Sequence, residues 1–249
     1  MGLPIFYCPP ERIQDNLALL SDRESHHGLK VMRLTLGDRV IVVNGVGTAY
    51  RGEIAGIAGR KKVKVNLHHE IRGFGEPTVV LTLAAGLSVG GKFDAVVQAG
   101  TELGVKRFVP VITEKSRVRL DDHKRIAART RRLERVALAA IKQCRRSYRP
   151  DIAAPTMYSD FIGQADTGSF QLIFQPGDNG RSLGEITGSG SVRRVTVLVG
   201  PEAGFTSEEA QMAIRAGFQT VSLGDRILRT ETAGPIACGL VMNLLGELR

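Results

Sequence analysis

Through the last two thirds of this chain, short apolar runs alternate with stretches of helical period. Val79–Ala85, Arg107–Ile112, Leu172–Phe174, Val195–Val199 and Thr220–Leu223 read as strands. Lys92–Leu103 carries Phe93, Val96, Val97 and Leu103 near helical spacing. Arg125–Arg146 does the same with Ile126, Leu133, Val136, Ala140, Ile141 and Cys144. Ser207–Gly217 and Thr232–Leu248 complete the helices, and Ser207 with Glu208 and Glu209 supplies a capped, acidic start to the first of them. Strand–helix alternation of this kind predicts an α/β domain with a largely parallel sheet covered on both faces.

The first third has a different rhythm. Arg39–Asn44, Thr48–Ile54 and Lys61–Leu67 are short β-branched runs separated by glycines, and Ser25–Leu34 before them reads as a short helix. Glycine and proline cluster in R-G-F-G-E-P at residues 72–77. The expected division is a small β domain over residues 1–72 and an α/β domain over residues 73–249.

Charge sharpens this picture. The formal net charge of the 249 residues is +9. Thirteen Lys or Arg but only Asp121, Asp122 and Glu134 fall between Lys115 and Arg149, so this one segment carries more than the whole excess. Signs that barely alternate predict an electrostatic footprint for phosphates rather than a solvated helix face. Cys8, Cys144 and Cys238 are odd in number and far apart, which fits reduced thiols. No apolar run approaches the roughly 20 residues of a membrane helix. Met1–Pro10 lacks the pattern of a secretory leader, so a cytoplasmic location without membrane attachment is expected.

Two tempting motifs fail on chemistry. Gly86–Lys92 spells G-x-x-x-x-G-K, but Phe93 stands where a P-loop needs a hydroxyl for magnesium. Lys92 beside a helix start still suits a phosphate contact. His26-His27 and His68-His69 are adjacent pairs that diverge on a strand or helix, with no acidic or cysteine cluster at metal spacing, so no metal is expected.

The strongest signals are two loops that each follow an apolar strand. Val199–Gly204 reads V-G-P-E-A-G, and Leu223–Ala233 reads L-G-D-R-I-L-R-T-E-T-A. Two glycine-bearing strand-end loops are where an open α/β sheet builds a ligand site. Gly200 and Gly204 permit close approach of backbone to ligand, and Pro201 fixes the turn.

These loops resemble the cofactor loops of the knotted RNA methyltransferases, the SPOUT superfamily. Within it, the chain is similar to the RsmE family, which methylates N3 of a uridine in 16S ribosomal RNA. Further residues carry the resemblance in order: H-H-x-x-x-V-M-R at His26–Arg33, T-E-L-G at Thr101–Gly104, and Gln143, Arg146 and Pro150 of an E-Q-x-x-R-x-x-x-P pattern. Ile5, Val89, Lys142 and Ala203 depart from the family's usual Arg, Lys, Glu and Gly.

The resemblance implies a C-terminal SPOUT-type domain with a trefoil knot and a PUA-like N-terminal β-barrel domain that binds RNA. It implies S-adenosylmethionine as cofactor, a homodimer, and 16S rRNA or the small ribosomal subunit as partner. Phe174, Gln175, Val199, Gly200, Pro201, Glu202, Gly204, Leu223, Gly224, Ile227, Leu228, Thr232 and Ala233 are the expected cofactor residues. Lys30, Arg33, Lys92, Arg117, Arg145 and Arg146 are the expected RNA contacts, with Lys30 and Arg33 sharing a helical face. Arg229 is the candidate for stabilising an imide anion or a phosphate. Glu231 is the candidate for orienting Arg229 or removing the proton, with capping of the terminal helix as its structural alternative. The competing functions are a related methyltransferase acting on another RNA or atom, and a non-catalytic RNA-binding or ribosome-assembly protein.

Overall fold

The computed structural model describes residues 2–58, 62–88, 91–116, 123–176, 183–186 and 192–248. Two compact units emerge: Met1–Glu76 with Leu138–Arg149, and Pro77–Ala137 with Pro150–Arg249.

The first unit is built on strands β1 (Ile5–Tyr7), β2 (Ile13–Gln14), β3 (Leu17–Leu19), β4 (Arg39–Val43), β5 (Thr48–Ala58) and β6 (Lys62–Arg72), in the order β1-β4-β5-β6-β3-β2. All pairings are antiparallel except β1 with β4, and the sheet curls into a half-barrel. Phe6, Leu20, Val40, Val42, Val63 and Val65 fill one face. On the other, Ile41, Val43 and Ala49 pack with Ile141. Period-2 alternation in β4 and β6 divides the side chains between the faces.

Helix α1 (Asp22–His26) begins earlier than the sequence reading because Ser21 Oγ accepts from the Glu24 amide at 3.2 Å. His27–Val31 then widens into a π turn, and Arg33 adopts φ +56°. The chain has left the helix by that point, so Lys30 and Arg33 do not share a helical face, and that expectation is corrected. Both side chains remain exposed.

The second unit contains β7 (Val80–Gly86), α2 (Lys92–Glu102), β8 (Arg107–Ile112), α3 (His123–Cys144), β9 (Asp151–Ile152), β10 (Thr156–Met157) and α4 (Tyr158–Gly163). It continues with β11 (Phe170–Phe174), α5 (Leu183–Ile186), β12 (Arg194–Val199), α6 (Ser207–Arg215), β13 (Gln219–Val221) and α7 (Thr230–Leu244). The strand order is β10-β8-β7-β12-β11-β13, with β9 also on β8, and every pairing is parallel. The last residues of α3, from Leu138, belong to the first unit.

Both sheet faces are covered, which is why these strands read as continuous apolar runs. Leu81, Leu83, Val195 and Val197 pack with Phe93, Val96 and Val97 of α2 and with Ala237, Cys238 and Val241 of α7. On the opposite face Ala84, Val109, Ile173 and Leu198 pack with Tyr158, Ile162, Ala213 and Phe218. The cap of α6 is Thr206, one residue before the expected Ser207. Its hydroxyl accepts from the Glu209 amide, while the Glu209 carboxylate accepts from the Thr206 amide. From the edge strand β13 the chain returns to pack α7 on α2, β7 and β12. This return sets the two glycine loops side by side at the strand ends.

Candidate cofactor cleft and nucleic-acid contacts

β11, β12 and β13 end together, because Phe174 registers with both Val199 and Val221. The Gln175 amide donates to the Val221 carbonyl at 3.1 Å and continues the ladder past the last registered pair. A cleft of about 170 Å³ opens at these ends. Of the expected cofactor residues, Phe174, Gln175, Val199, Glu202, Gly204, Leu223, Gly224, Ile227, Leu228 and Ala233 line it. Gly200, Pro201 and Thr232 do not. Gly200 acts from behind, since its carbonyl accepts from the Thr230 hydroxyl at 3.2 Å and ties the first turn of α7 to the loop. Pro201 sits against β7, where a Cβ on Gly86 would come within 2.2 Å of the Pro201 nitrogen. Thr232 is exposed on α7.

The lining also includes Pro176, Ala203 and Arg226, which the sequence reading left out. Pro176 and Arg226 directly follow or sit between chosen positions, so continuity of the loops was the available signal. Gly204 carries φ +67° and Gly224 φ +89°, whereas Ala203 is not among the positive-φ residues. The methyl of Ala203 therefore meets no backbone penalty at a position where the family has glycine.

The donor set suits a nucleoside. Phe174, Leu223, Ile227, Leu228 and Ala233 supply an apolar bed, and Glu202 and Arg226 supply charge at the same cleft. Ile227 is 82% exposed within this lining.

Glu202 and Ala203 also line a neighbouring cavity of about 340 Å³, with Leu87, Ser88, Lys92, Lys115, Ser116 and Pro201. Lys92 Nζ donates to Glu202 Oε1 at 2.7 Å. Lys115 Nζ donates to the Ala203 and Phe205 carbonyls at 3.2 and 3.1 Å, bracing the loop from that side. Arg129 holds the Ser88 carbonyl at 2.6 Å, and its burial lowers its pKa from the usual arginine range. Ser88 Oγ is buried without a partner among the described residues. The Gly-Pro loop is thus a wall between an apolar cleft and a cavity with two lysines.

Arg229 is the N-cap residue of α7 and is exposed. Glu231 lies in the first turn, and its Oε2 is buried with no hydrogen-bond partner among the described residues. No ion pair joins the two, so Glu231 does not orient Arg229 here. Glu231 does not cap α7 either, since no side chain caps that helix. An acidic residue there still complements the helix dipole.

The basic segment divides. Arg145 is exposed, takes φ +65°, and lies over the Phe74 ring at 5.9 Å. It lines a cavity of about 270 Å³ in the first unit with Arg39, Arg51 and His68. Those strand residues were missed because no local motif marks them. Arg146 is 2% exposed, and its guanidinium donates to Glu76 at 2.8 Å. Its expected role as a phosphate contact is therefore corrected: the charge is consumed inside the fold. Arg117 and the departure at Val89 lie outside the described residues. No group of His, Cys, Asp and Glu that could hold a metal occurs among the described residues.

Comparison with known proteins gives these observations a context. Residues 75–242 match the model of an RNA methyltransferase domain, and residues 20–67 match that of an RNA methyltransferase PUA domain. The ribosomal RNA small subunit methyltransferase E of Synechocystis is 30% identical, over 95% of this chain and 76% of its own. The corresponding enzyme of Neisseria gonorrhoeae, solved bound to S-adenosyl methionine, is 29% identical, with a TM-score of 0.86 and 98% of each chain covered. A methyltransferase of Legionella pneumophila solved with the cofactor SAM is 27% identical, with the same TM-score and coverage. The two matched segments, the parallel sheet with its strand-end loops and the likeness along nearly the whole chain agree: this protein belongs to the RNA methyltransferase family, in the group of the ribosomal RNA small subunit methyltransferases E.

Proposed function

We propose that this protein methylates 16S rRNA of the small ribosomal subunit from S-adenosylmethionine, at N3 of a uridine. The observation that carries the reading is the cleft at the ends of β11, β12 and β13, where ten of the expected cofactor residues converge. Bound there, S-adenosylmethionine supplies a methyl group already activated on a sulfonium. Phe174, Leu223, Ile227 and Leu228 would hold its adenine by apolar contact, and the backbone of Val199–Gly204 would position the rest.

The protein's own task is mainly alignment of the target nitrogen. A uridine imide must also lose its N3 proton. In this reading Glu231, whose Oε2 is buried without a hydrogen-bond partner among the described residues, would accept the proton or a donor from the nucleotide, and Arg229, exposed at the start of the same helix, would stabilise the imide anion or a phosphate. Lys92 and Lys115 in the neighbouring cavity suit the phosphates on the other side of the loop.

Residues 1–72 act as a PUA-like RNA-binding module in this reading, using Lys30, Arg33, Arg39 and Arg51, with Arg145 of the same unit completing the cavity. A homodimer is supported by Ile236, Leu240 and Leu244, an exposed stripe at i, i+4, i+8 of α7. The setting is the cytoplasm, where small subunits are assembled.

The test is methyl transfer to small subunits lacking the modification, to naked 16S rRNA and to a short stem-loop, with mass-spectrometric mapping of the product. N3-methyluridine formed best on the particle is expected. Transfer to another atom or another RNA would replace the finer assignment, and no transfer to any substrate would favour a non-catalytic RNA-binding protein.

A further inference from the structure

Buried parallel strands should be apolar on both faces, yet one row of this sheet is polar from strand to strand. Register pairs Gln171 of β11 with Thr196 of β12, Thr196 with Thr82 of β7, and Thr82 with Arg107 of β8. The next row on the same face, Ile173, Leu198, Ala84 and Val109, is apolar and fully packed. The polar row lies toward the starts of the strands, away from the cofactor cleft. It floors a cavity of about 520 Å³ walled by Phe161 and Phe218.

Gln171 is 5% exposed, and its amide nitrogen donates to the Asp166 carbonyl at 2.7 Å. That bond fixes the other end of the amide, so Oε1 is an acceptor. It is buried without a partner among the described residues. Leaving such an acceptor unpaired is costly unless something supplies a donor. At the other end of the row Arg107 is over half exposed, with Asp151 at 3.4 Å as its ion-pair partner among the described residues. Arg194, also at the cavity, is already neutralised by Asp166 at 2.6 Å. Strands lie about 4.8 Å apart, so three spacings put the acceptor end and the cationic end roughly 14 Å apart. That span suits an elongated ligand with an N–H donor at one end and an anion at the other, and a ring between them against Phe161.

We propose that this cavity is a second nucleotide site, holding the base edge at Gln171 Oε1 and the phosphate at Arg107. The nucleotide is either a free nucleoside monophosphate or one residue of an RNA chain. The site stands apart from the methyl-transfer reading and does not depend on it.

The test uses the full-length protein saturated with S-adenosylhomocysteine, so that the cofactor cleft cannot report. The four nucleoside 5′-monophosphates and a short single-stranded oligoribonucleotide are titrated by calorimetry. Saturable binding of at least one probe is expected. Arg107→Gln should weaken it tenfold or more, and Gln171→Leu should abolish it. Asp151→Asn should strengthen it, because a competing carboxylate is removed. Gln171→Leu should change the melting temperature little, since it removes an unpaired buried oxygen together with one bond to the Asp166 carbonyl, which keeps its bonds from Ser169. That separates loss of the site from loss of the fold. Binding of monophosphates alone identifies a free nucleotide, and tighter binding of the oligonucleotide that Arg107→Gln and Gln171→Leu weaken identifies an RNA residue. No saturable binding of any probe, or binding indifferent to Arg107→Gln and Gln171→Leu, overturns the proposal and leaves the polar row structural.

Discussion

The two ends of α3 carry the same kind of charge and use it in opposite ways. Toward its start, within the second unit, Arg131 and Arg135 are exposed. Toward its end, within the first unit, Lys142 is held by Glu24 at 2.6 Å and Arg146 by Glu76 at 2.8 Å. Both of those carboxylates are almost wholly buried. A single run of basic residues therefore contains a surface able to meet phosphate and a set of internal struts. Counting charge along a chain does not separate the two, because desolvation and geometry do.

The largest effect should come from Glu76→Ala. Glu76 accepts from Arg146 and from the Ser147 and Tyr148 amides at 2.9 and 2.8 Å. Removing it takes the paired carboxylate away from a guanidinium that is only 2% exposed, although the Ser147 amide keeps its bond to the Phe74 carbonyl at 3.0 Å, and should cost about 3–5 kcal/mol in urea unfolding. A loss within about 0.5 kcal/mol, typical of surface substitutions, would mean the strut is no strut.

Lys142→Ala should cost less, about 1–2 kcal/mol, because Glu24 keeps its bond from the Tyr7 amide at 3.0 Å. The opposite end of the helix should behave differently. Arg131→Glu with Arg135→Glu should move stability by no more than about 0.5 kcal/mol. The same pair should weaken RNA binding and flatten its salt dependence by about one unit of slope for each lost phosphate contact. Unchanged affinity and slope would remove the start of α3 from the RNA face.

The same physics sets what was legible in the sequence. The β7, β8 and β12 runs could be read because strands buried on both faces are continuously apolar. β1–β3, β9, β10 and α4 escaped because elements so short show no period. The cleft was largely readable, since most of its residues lie in two loops with glycines where the backbone needs them, and the rest lie at and just after the end of β11. The ion pairs were not, because Lys142 and Glu24 stand 118 positions apart and Arg146 and Glu76 stand 70 apart. The polar row under the sheet exists only through register, which no local pattern reveals.

The finest test of the comparison uses the cysteines. Cys8 is fully buried and its thiol is pushed up to about 11 by desolvation, with Sγ 3.5 Å from the Leu19 carbonyl. Burial raises the thiol of Cys238 as well. A raised thiol pKa means the folded state binds its proton more tightly than the unfolded chain does. The resulting stability is complete below the ordinary thiol range and is lost as pH rises through about 11 for Cys8. At pH 8 both thiols should therefore resist iodoacetamide in the native protein. Cys144 is only partly buried and sits two positions before Arg146, so it should label slowly but measurably. In Glu76→Ala, labelling of Cys144 should quicken as the end of α3 loosens, while Cys238 in the second unit stays protected. Equal acceleration at Cys144 and Cys238 would show that the strut stabilises the whole chain as one cooperative block, and the contrast between the two ends of α3 would then be one of charge alone.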